Sequence, residues 1–373
     1  MEMSGFAMRW LSAGFGLVLL VAAVPTAALG QVDIEMRDKI NAGTVRIVSG
    51  GMDGTAFRVA ADLAAVLDDG DDLRILPIMG KGSVQNLTDI LYLKGIDVGI
   101  VHLDVLNHLR QEKTYRGLER RIRYITKLYN EEFHLLVGEG IESVADLNGK
   151  KVNYGVPGSG AYITAVEVFK TLNVEPEPVS TDAAMAVEKI RSGEIAGMVY
   201  VAGKPAPLFQ TLEAPDGLKL LPIPYTPELL ETYVPARLTN EDYPQLITAE
   251  GDVSTLTVEV AMVVFNWKSD TERYKNVSRF VDAFFDHFAE FKRPPRHAKW
   301  SEVSLTAKIP GWTRFDAAES WLERNSPENK RLFSESEVES AFKRFLEQET
   351  NASGSQTDQL FQKFLQMLEE QPS

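Results

Sequence analysis

The sequence predicts an α/β protein of two lobes, and three observations carry that expectation. Short apolar strand-like runs alternate with helix-period runs from residue 44 onward. Glycine-rich segments stand repeatedly where such a strand gives way to a helix. The alternation also restarts after Val137, and a second long β-rich run lies far downstream at residues 256–265. Strands alternating with helices imply parallel-rich sheets covered on both faces. A chain that leaves one lobe through residues 133–137 and returns through 256–265 makes a hinge of two crossing strands with a cleft beneath it.

Residues 44–48 read as a strand, and residues 56–67 as a helix with apolar positions at Val59, Leu63, Val66 and Leu67. Residues 73–78 form the next strand. Ser83 is suited to cap a helix running to about Leu93, and 97–101 is a short apolar strand. Residues 122–128 and 133–137 follow as two strands, 141–147 as a turn and short helix, and 151–154 as a strand. A helix then runs from about Ala161 to Leu172, Thr181 or Asp182 caps another that ends near Gly193, and 198–201 is again a strand. Val277, Phe280, Val281, Phe284, Phe285, Phe288 and Phe291 fall at helical spacing and read as core packing.

These elements divide the chain into lobe one at 44–137 plus 262–330 and lobe two at 138–261. Residues 331–373 form a C-terminal helical extension, with one apolar series at Val338, Phe342, Phe345 and Leu346 and a second at Leu360, Phe361, Phe364, Leu365 and Leu368. Residues 351–355 between them have a flexible linker composition. The extension is read either as packing on a lobe or as docking a partner.

Residues 1–30 read as a cleavable signal peptide. Arg9 is the one cation before a largely apolar run over 11–24, Pro25 ends that run, and Ala28-Leu29-Gly30 supplies small residues for cleavage before Gln31. Residues 10–29 are just long enough to span a bilayer, so an uncleaved anchor is the alternative. The expectation is export to the periplasm.

The absence of cysteine excludes disulfides, thiolate metal sites and a cysteine nucleophile. A formal net charge of −14 argues against nucleic acid, and also against long-range steering of an anion. Capture of an anion would then depend on local donors inside the cleft. The acidic run Asp68-Asp69-Gly70-Asp71-Asp72 fits no calcium loop and reads as a solvated turn. Gly158-Ser159-Gly160 lacks the spacing of a nucleophile elbow, Gly80-Lys81-Gly82-Ser83 lacks the upstream glycine of a P-loop, and the five histidines have no zinc spacing. The reading is a binding protein without cofactor or metal, not an enzyme.

Three segments, at residues 50–55, 80–83 and 155–160, carry the candidate site. Glycine lets a backbone approach a ligand closely, and the first amides of a helix lack internal partners, so each junction offers N–H donors to an anion. The first contributes Gly51, Met52, Gly54, Thr55 and Phe57, the second Gly82, Ser83 and Asn86, and the third Gly158, Ser159 and Gly160. Thr55, Ser83, Asn86 and Ser159 suit carboxylate binding and equally suit helix caps. Lys204, in a Gly-Lys-Pro turn, is the first candidate for a charge partner, with Arg58 and Lys81 as alternatives. His102 reads as a satisfied wall histidine with Asp104 two residues on.

The residues Gly50 through Phe57, Gly82-Ser83-Val84-Gln85-Asn86-Leu87, Asp97-Val98-Gly99-Ile100-Val101, and Asp146-Leu147-Asn148-Gly149-Lys150-Lys151-Val152 followed by Gly158-Ser159-Gly160 resemble the TRAP-associated extracytoplasmic immunogenic protein (TAXI) family, in order and spacing. Gly193-Glu194-Ile195 and Val201-Ala202-Gly203-Lys204-Pro205 also look like family segments, and the resemblance covers roughly residues 44 to 320. It implies a type II-like periplasmic-binding-protein fold. It also implies a solute receptor of a tripartite ATP-independent (TRAP) transporter that captures a small organic anion, glutamate-like or a keto acid, and presents it to membrane permease subunits. The alternative is a ligand sensor that presents its closed form to a membrane signalling protein. Two departures concern the site. Ala56-Phe57 stand where the family commonly has a tyrosine pair, and Ala161 stands where a threonine often follows Gly160, so side-chain hydroxyls are fewer here.

Overall fold

The computed structural model describes residues 36, 41–52, 54–212, 217–249 and 251–326. The expected signal peptide at 1–30 and extension at 331–373 lie outside the described residues. From residue 43 onward the described chain forms a mixed α/β structure around one twisted ten-stranded sheet. Its strands are β1 (Thr44–Val48), β2 (Arg74–Ile78), β3 (Val98–His102), β4 (Ile122–Val137), β5 (Lys151–Asn153), β6 (Glu177–Val179), β7 (Gly197–Ala202), β8 (Lys219–Leu220), β9 (Val234–Leu238) and β10 (Val253–Phe265). The helices of two turns or more are α1 (Thr55–Leu67), α2 (Ser83–Tyr92), α3 (Leu103–Gln111), α4 (Gly160–Thr171), α5 (Ala183–Arg191), α6 (Glu272–Asp286) and α7 (Asp316–Arg324).

The strand order is β2-β1-β3-β10-β4-β7-β5-β6, with β8 added to β4 and β9 to β10. β1 runs parallel to β2 and β3, and β5 runs parallel to β6 and β7. The long strands β4 and β10 lie antiparallel to each other at the centre and belong to both halves. Along β10, Leu256 and Val258 enter the second lobe's core with Phe133, Leu135 and Val152, whereas Val260, Met262 and Val264 enter the first lobe's core with Ile47, Leu63 and Phe280. The chain therefore changes lobes between Val258 and Val260. This is the hinge of two crossing strands that the sequence predicts.

One expectation is corrected here. Residues 122–128 and 133–137 are not separate strands but one strand of 16 residues. The polar stretch Asn130-Glu131-Glu132 interrupts the apolar pattern, yet the ladder continues because Val258 and Thr257 of β10 lie opposite Glu131 and Glu132, and both carboxylates find buried partners. Register shifts in the β4–β10 pairing flank Ala261 and Met262, bulges of the kind that bend a strand.

Each lobe has apolar cores on both faces of its sheet, as the two-residue side-chain period requires. In lobe one Ile47 joins the cluster holding Phe280, Phe284 and Trp300, while its neighbour Val48 joins Leu87, Ile90 and Leu106. In lobe two Leu135 packs with Phe169, and Leu136 packs with Ile190, Met198 and Phe209. The phenylalanine series is core, as expected: Phe280, Phe284 and Phe285 are buried on α6, Phe291 is buried in the following turn, and Phe288 packs beside them. After β10 the described chain stays with lobe one, where Ala317 and Ala318 of α7 close the same cluster.

The acidic run is a turn whose carboxylates serve the backbone. Asp68 accepts from Gly70 and Ile75 amides, and Asp69 from those of Asp71 and Leu73, each at 2.9 Å. His134 in β4 is buried and fully engaged. Its Nε2 lies 2.6 Å from the Tyr243 hydroxyl, which itself accepts from the Ala206 amide, and its Nδ1 faces the carbonyls of Glu132 and Tyr200. Burial dominates its titration and pushes the imidazole down to about 4.

Candidate functional site

α1, α2 and α4 each begin at a glycine junction beyond the carboxyl end of a strand, two in lobe one and one in lobe two. Gly54 precedes α1 and its amide closes on the Gly51 carbonyl at 3.0 Å. Gly82 precedes α2 at φ +115°, a conformation that favours glycine, and a Cβ there would stand 2.8 Å from the Ser159 Cα of the other lobe. Ser159 caps α4, its Oγ accepting from the Tyr162 amide at 3.1 Å. All three junctions line one cavity of about 410 Å³ between the lobes. First-turn amides have no acceptor within their own helix, so three helix starts converge on one space.

The lobes meet around this cavity. The Val84 amide donates to the Gly158 carbonyl at 3.2 Å, and the Gly203 amide donates to Thr55 Oγ1 at 3.0 Å. Beneath the rim, buried Asp104 of α3 accepts from the Thr164 hydroxyl of α4 at 2.7 Å and the Tyr233 hydroxyl at 3.2 Å, and His108 Nδ1 lies 2.9 Å from Glu167 Oε1. Burial raises the Asp104 carboxyl above its ordinary range, with the nearby His102 and these hydroxyls opposing it. α3 is an additional helix, for which Leu103, Leu106 and Leu109 supply the period.

Of the expected site residues, Gly51, Met52, Gly54, Thr55, Gly82, Ser83, Asn86, Ser159 and Gly160 line the cavity, as does Lys81. Phe57, Gly158 and Lys204 do not stand among its lining residues. Phe57 lies on the first turn of α1 and is half-buried. Gly158, at φ +83°, acts through its carbonyl in the contact between lobes. Lys204 corrects the charge-partner expectation: its Nζ is 2.9 Å from Asp242 and donates to the Arg237 carbonyl at 2.7 Å. Against the effect of burial, the Lys204 ammonium and the Thr239 donors hold the Asp242 carboxyl below its usual range. Ser83 also corrects an expectation. It is the first residue of α2, with Gly82 at the cap position, and its Oγ accepts from the His102 amide at 3.0 Å.

Two side chains at the cavity wall have unused capacity. Asn86 is fully buried; its Nδ2 donates to the Ile100 carbonyl at 2.8 Å, and its Oδ1 has no partner. His102 turns Nε2 to Glu131 Oε2 at 2.9 Å, and its buried Nδ1 has no partner. That ring edge faces Gly160, where a Cβ would lie 2.3 Å from Nδ1. Burial works against a charged imidazole here, but the hydrogen bond and charge of Glu131, with Asp104, outweigh it and raise the His102 titration above its ordinary value.

Glu131, and the second buried pair at the crossing, are not marked by any of the sequence motifs. Glu132 Oε1 accepts from Lys299 Nζ at 2.7 Å, its Oε2 accepts from the Lys204 amide at 2.7 Å, and Lys299 also reaches Glu302. Burial opposes the Lys299 charge, but these carboxylates hold its ammonium above the ordinary lysine value. The signal available in the sequence was an acidic pair standing between two apolar runs of a strand. Among the described residues no group of His, Cys, Asp and Glu has the arrangement of a metal centre, and no helix is long and apolar enough to cross a membrane.

A family model described as the NMT1-like family matches residues 47–267, more than half of the chain. The chain belongs to the NMT1-like family. The match runs from β1 to just past β10, so it includes both lobes of this NMT1-like protein and all three glycine junctions. Among solved structures, one described as a periplasmic transporter is similar at 12% identity and a TM-score of 0.47, over 78% of this chain and 97% of that one. The periplasmic binding protein BugD is similar at 12% identity and a TM-score of 0.45, over 78% and 97%. The alkanesulfonate-binding protein SsuA from Xanthomonas axonopodis pv. citri, bound to MOPS, is similar at 16% identity and a TM-score of 0.42, over 76% and 85%.

Proposed function

We propose that this NMT1-like protein is a solute receptor, exported to the periplasm and not an enzyme, that closes its two lobes on a small organic anion. The observation that carries this reading is the convergence of three helix starts, separated by up to about 105 residues of chain (Thr55 to Gly160), on one cavity between lobes joined by two strands. The anion's carboxylate accepts from the first-turn amides of α1, α2 and α4. Because the donors come from both lobes, occupancy stabilises the closed arrangement. Thr55 and Gly158 add contacts made between lobes, and Ser83 and Ser159 act from beneath as supports for the backbone that does the binding. The TAXI resemblance supports the finer reading, delivery of the solute to the permease subunits of a TRAP transporter.

A thermal-shift screen of the exported protein, refolded to remove carried solute, tests the reading against amino acids, keto and hydroxy acids, sugars and phosphate esters. A ligand at about a hundred times its dissociation constant adds roughly 2.7 kcal/mol of stability and raises Tm. A rise confined to carboxylates supports the receptor for an organic anion. A rise with sugars alone sinks it. Loss of carboxylate uptake on deletion of adjacent membrane-subunit genes supports the transport role, whereas intact uptake with loss of a transcriptional response favours sensing.

A further inference from the structure

We infer that residues 335–349 of the C-terminal extension dock as an amphipathic, acidic helix on an aromatic and arginine-rich surface at the end of lobe one opposite the cleft.

The surface forms where three strands begin or end together. Val264 of β10 lies opposite Val98, the first residue of β3, and Phe265, the last of β10, lies opposite Ile122, the first of β4. The carboxyl ends of β1 and β3 lead to the cleft, so this is the far pole of the lobe. Rings and guanidinium groups run across it without a break. Tyr115 stands 6.2 Å from Tyr92, Arg121 lies 5.0 Å over the Tyr92 ring and 5.8 Å over that of Phe265, Phe265 packs at 4.6 Å on Trp267, and Arg273 of α6 lies 4.8 Å over Trp267. Tyr92 is 61% and Leu93 53% exposed, and the other members are half-buried. Tyrosine, tryptophan and arginine together are the composition enriched where proteins dock. Charge also sets this pole apart. The segments that build it, 92–97, 115–123 and 265–275, hold eight lysines and arginines against four acids, in a chain of net charge −14. Arg121 directs its donors to the Tyr92 hydroxyl at 3.1 Å and the Leu91 carbonyl at 3.4 Å, not to a carboxylate.

Reach and charge name the occupant. Arg324 at the end of α7 bonds Asp282 of α6 at 3.0 Å, which leaves the described chain beside the helix that carries Arg273. The step along α6 from Asp282 back to Arg273 is about 14 Å. The chain from Ser326 to Val338 spans up to about 40 Å, so the extension reaches the surface. Residues 335–349 hold five acids and two cations. In helical register Val338, Phe342, Phe345 and Leu346 make one stripe, with Glu335, Glu339 and Glu349 beside it and Lys343 and Arg344 turned away. The apolar stripe suits Tyr92, Leu93 and Trp267, and the acids beside it suit the arginines. A tethered segment also meets the surface at an effective concentration on the order of millimolar, so a contact too weak to hold a free partner is enough.

The test places a photoreactive benzoylphenylalanine at Leu93 of the full chain, prepared as a mixture of isotopically light and heavy protein, and identifies the crosslinked peptides by mass spectrometry. Crosslinks to residues 335–349 that join peptides of one isotope are the expected result. Mixed-isotope pairs overturn docking within one chain and assign the surface to a second copy. Absence of any crosslink to the extension overturns the inference, and sedimentation of that protein with phosphatidylglycerol vesicles would assign the surface to a membrane instead. Phe342→Ser combined with Phe345→Ser should cut the yield at least about fivefold, since two apolar anchors are lost, and an unchanged yield overturns the role of the stripe. Glu335→Lys combined with Glu339→Lys should cut it severalfold, as should added salt. Indifference to both overturns the electrostatic part of the inference.

Discussion

The His102 region in the cleft and the His134 region in the second lobe's core both enclose an imidazole, and the two differ in what is left over. Around His134 every nitrogen has a partner, and burial holds the ring neutral, with its titration pushed down to about 4. Around His102 one nitrogen is held by Glu131, the other has none, and the carboxylates beside it push the titration upward. A closed core satisfies its polar groups within itself. Beside the cleft the unpartnered His102 Nδ1 is enclosed against Gly160. Asn86, a few residues into α2, likewise keeps an enclosed Oδ1 without a partner, packed against Gly80.

Four experiments bear on that contrast. The largest effect is expected from Gly160→Val. The ring of His102 occupies the space a Cβ needs, so binding of the solute should fall roughly 100-fold while the unliganded protein still melts cooperatively. Calorimetric titration beside a thermal melt checks it, and unimpaired binding would show that the α4 start stands outside the site. On the core side, His134 is predicted to govern acid stability. Its folded titration lies below the unfolded value, so its contribution is intact above about pH 6.5 and is lost as pH falls toward 4, amounting to about 3 kcal/mol. Urea melts at pH 7 and 4.5 should show that loss, and His134→Leu, though less stable at neutral pH, should show a smaller one. His102 has the opposite sign. Its raised titration contributes stability below about pH 6.5 that fades as pH rises through the folded value.

A smaller effect is expected from Thr55→Val. It removes the hydroxyl that receives the Gly203 amide and leaves a buried donor unpaired, which costs about 1–2 kcal/mol in the closed form and roughly tenfold in apparent affinity. Preserved affinity would mean that this contact does not help hold the lobes together. The smallest belongs to Lys204→Met. With its ammonium spent on Asp242, away from the cavity, the change in solute affinity should stay under about twofold. A larger loss would return Lys204 to the role of charge partner.

Much of this molecule was legible from residue order alone, and the physical reasons are local. Periodicity marked α1, α2 and α6 because a helix buried on one side must repeat its apolar residues every three or four positions. The glycine junctions were legible because turns between strand and helix require small residues whatever the tertiary context. The two crossing strands were visible as long apolar runs far apart in the chain. Nine of the twelve expected site residues line the cavity for the same reason: they sit on those junctions.

Other features depended on contacts that no local pattern encodes. That residues 122–137 form one strand follows from β10 lying beside the acidic pair and from His102 and Lys299 reaching it across the fold. That Lys204 turns away from the cleft follows from Asp242, 38 residues later in the chain. The unpartnered faces of Asn86 and His102 exist because other elements supply Ile100 and Glu131 and stop there. The α/β alternation, the two lobes and the three glycine turns are written in spacing and residue size. Which charges neutralise each other and which polar atoms stay unpartnered was settled by folding, because pairing depends on distances between segments that the chain brings together only when it folds.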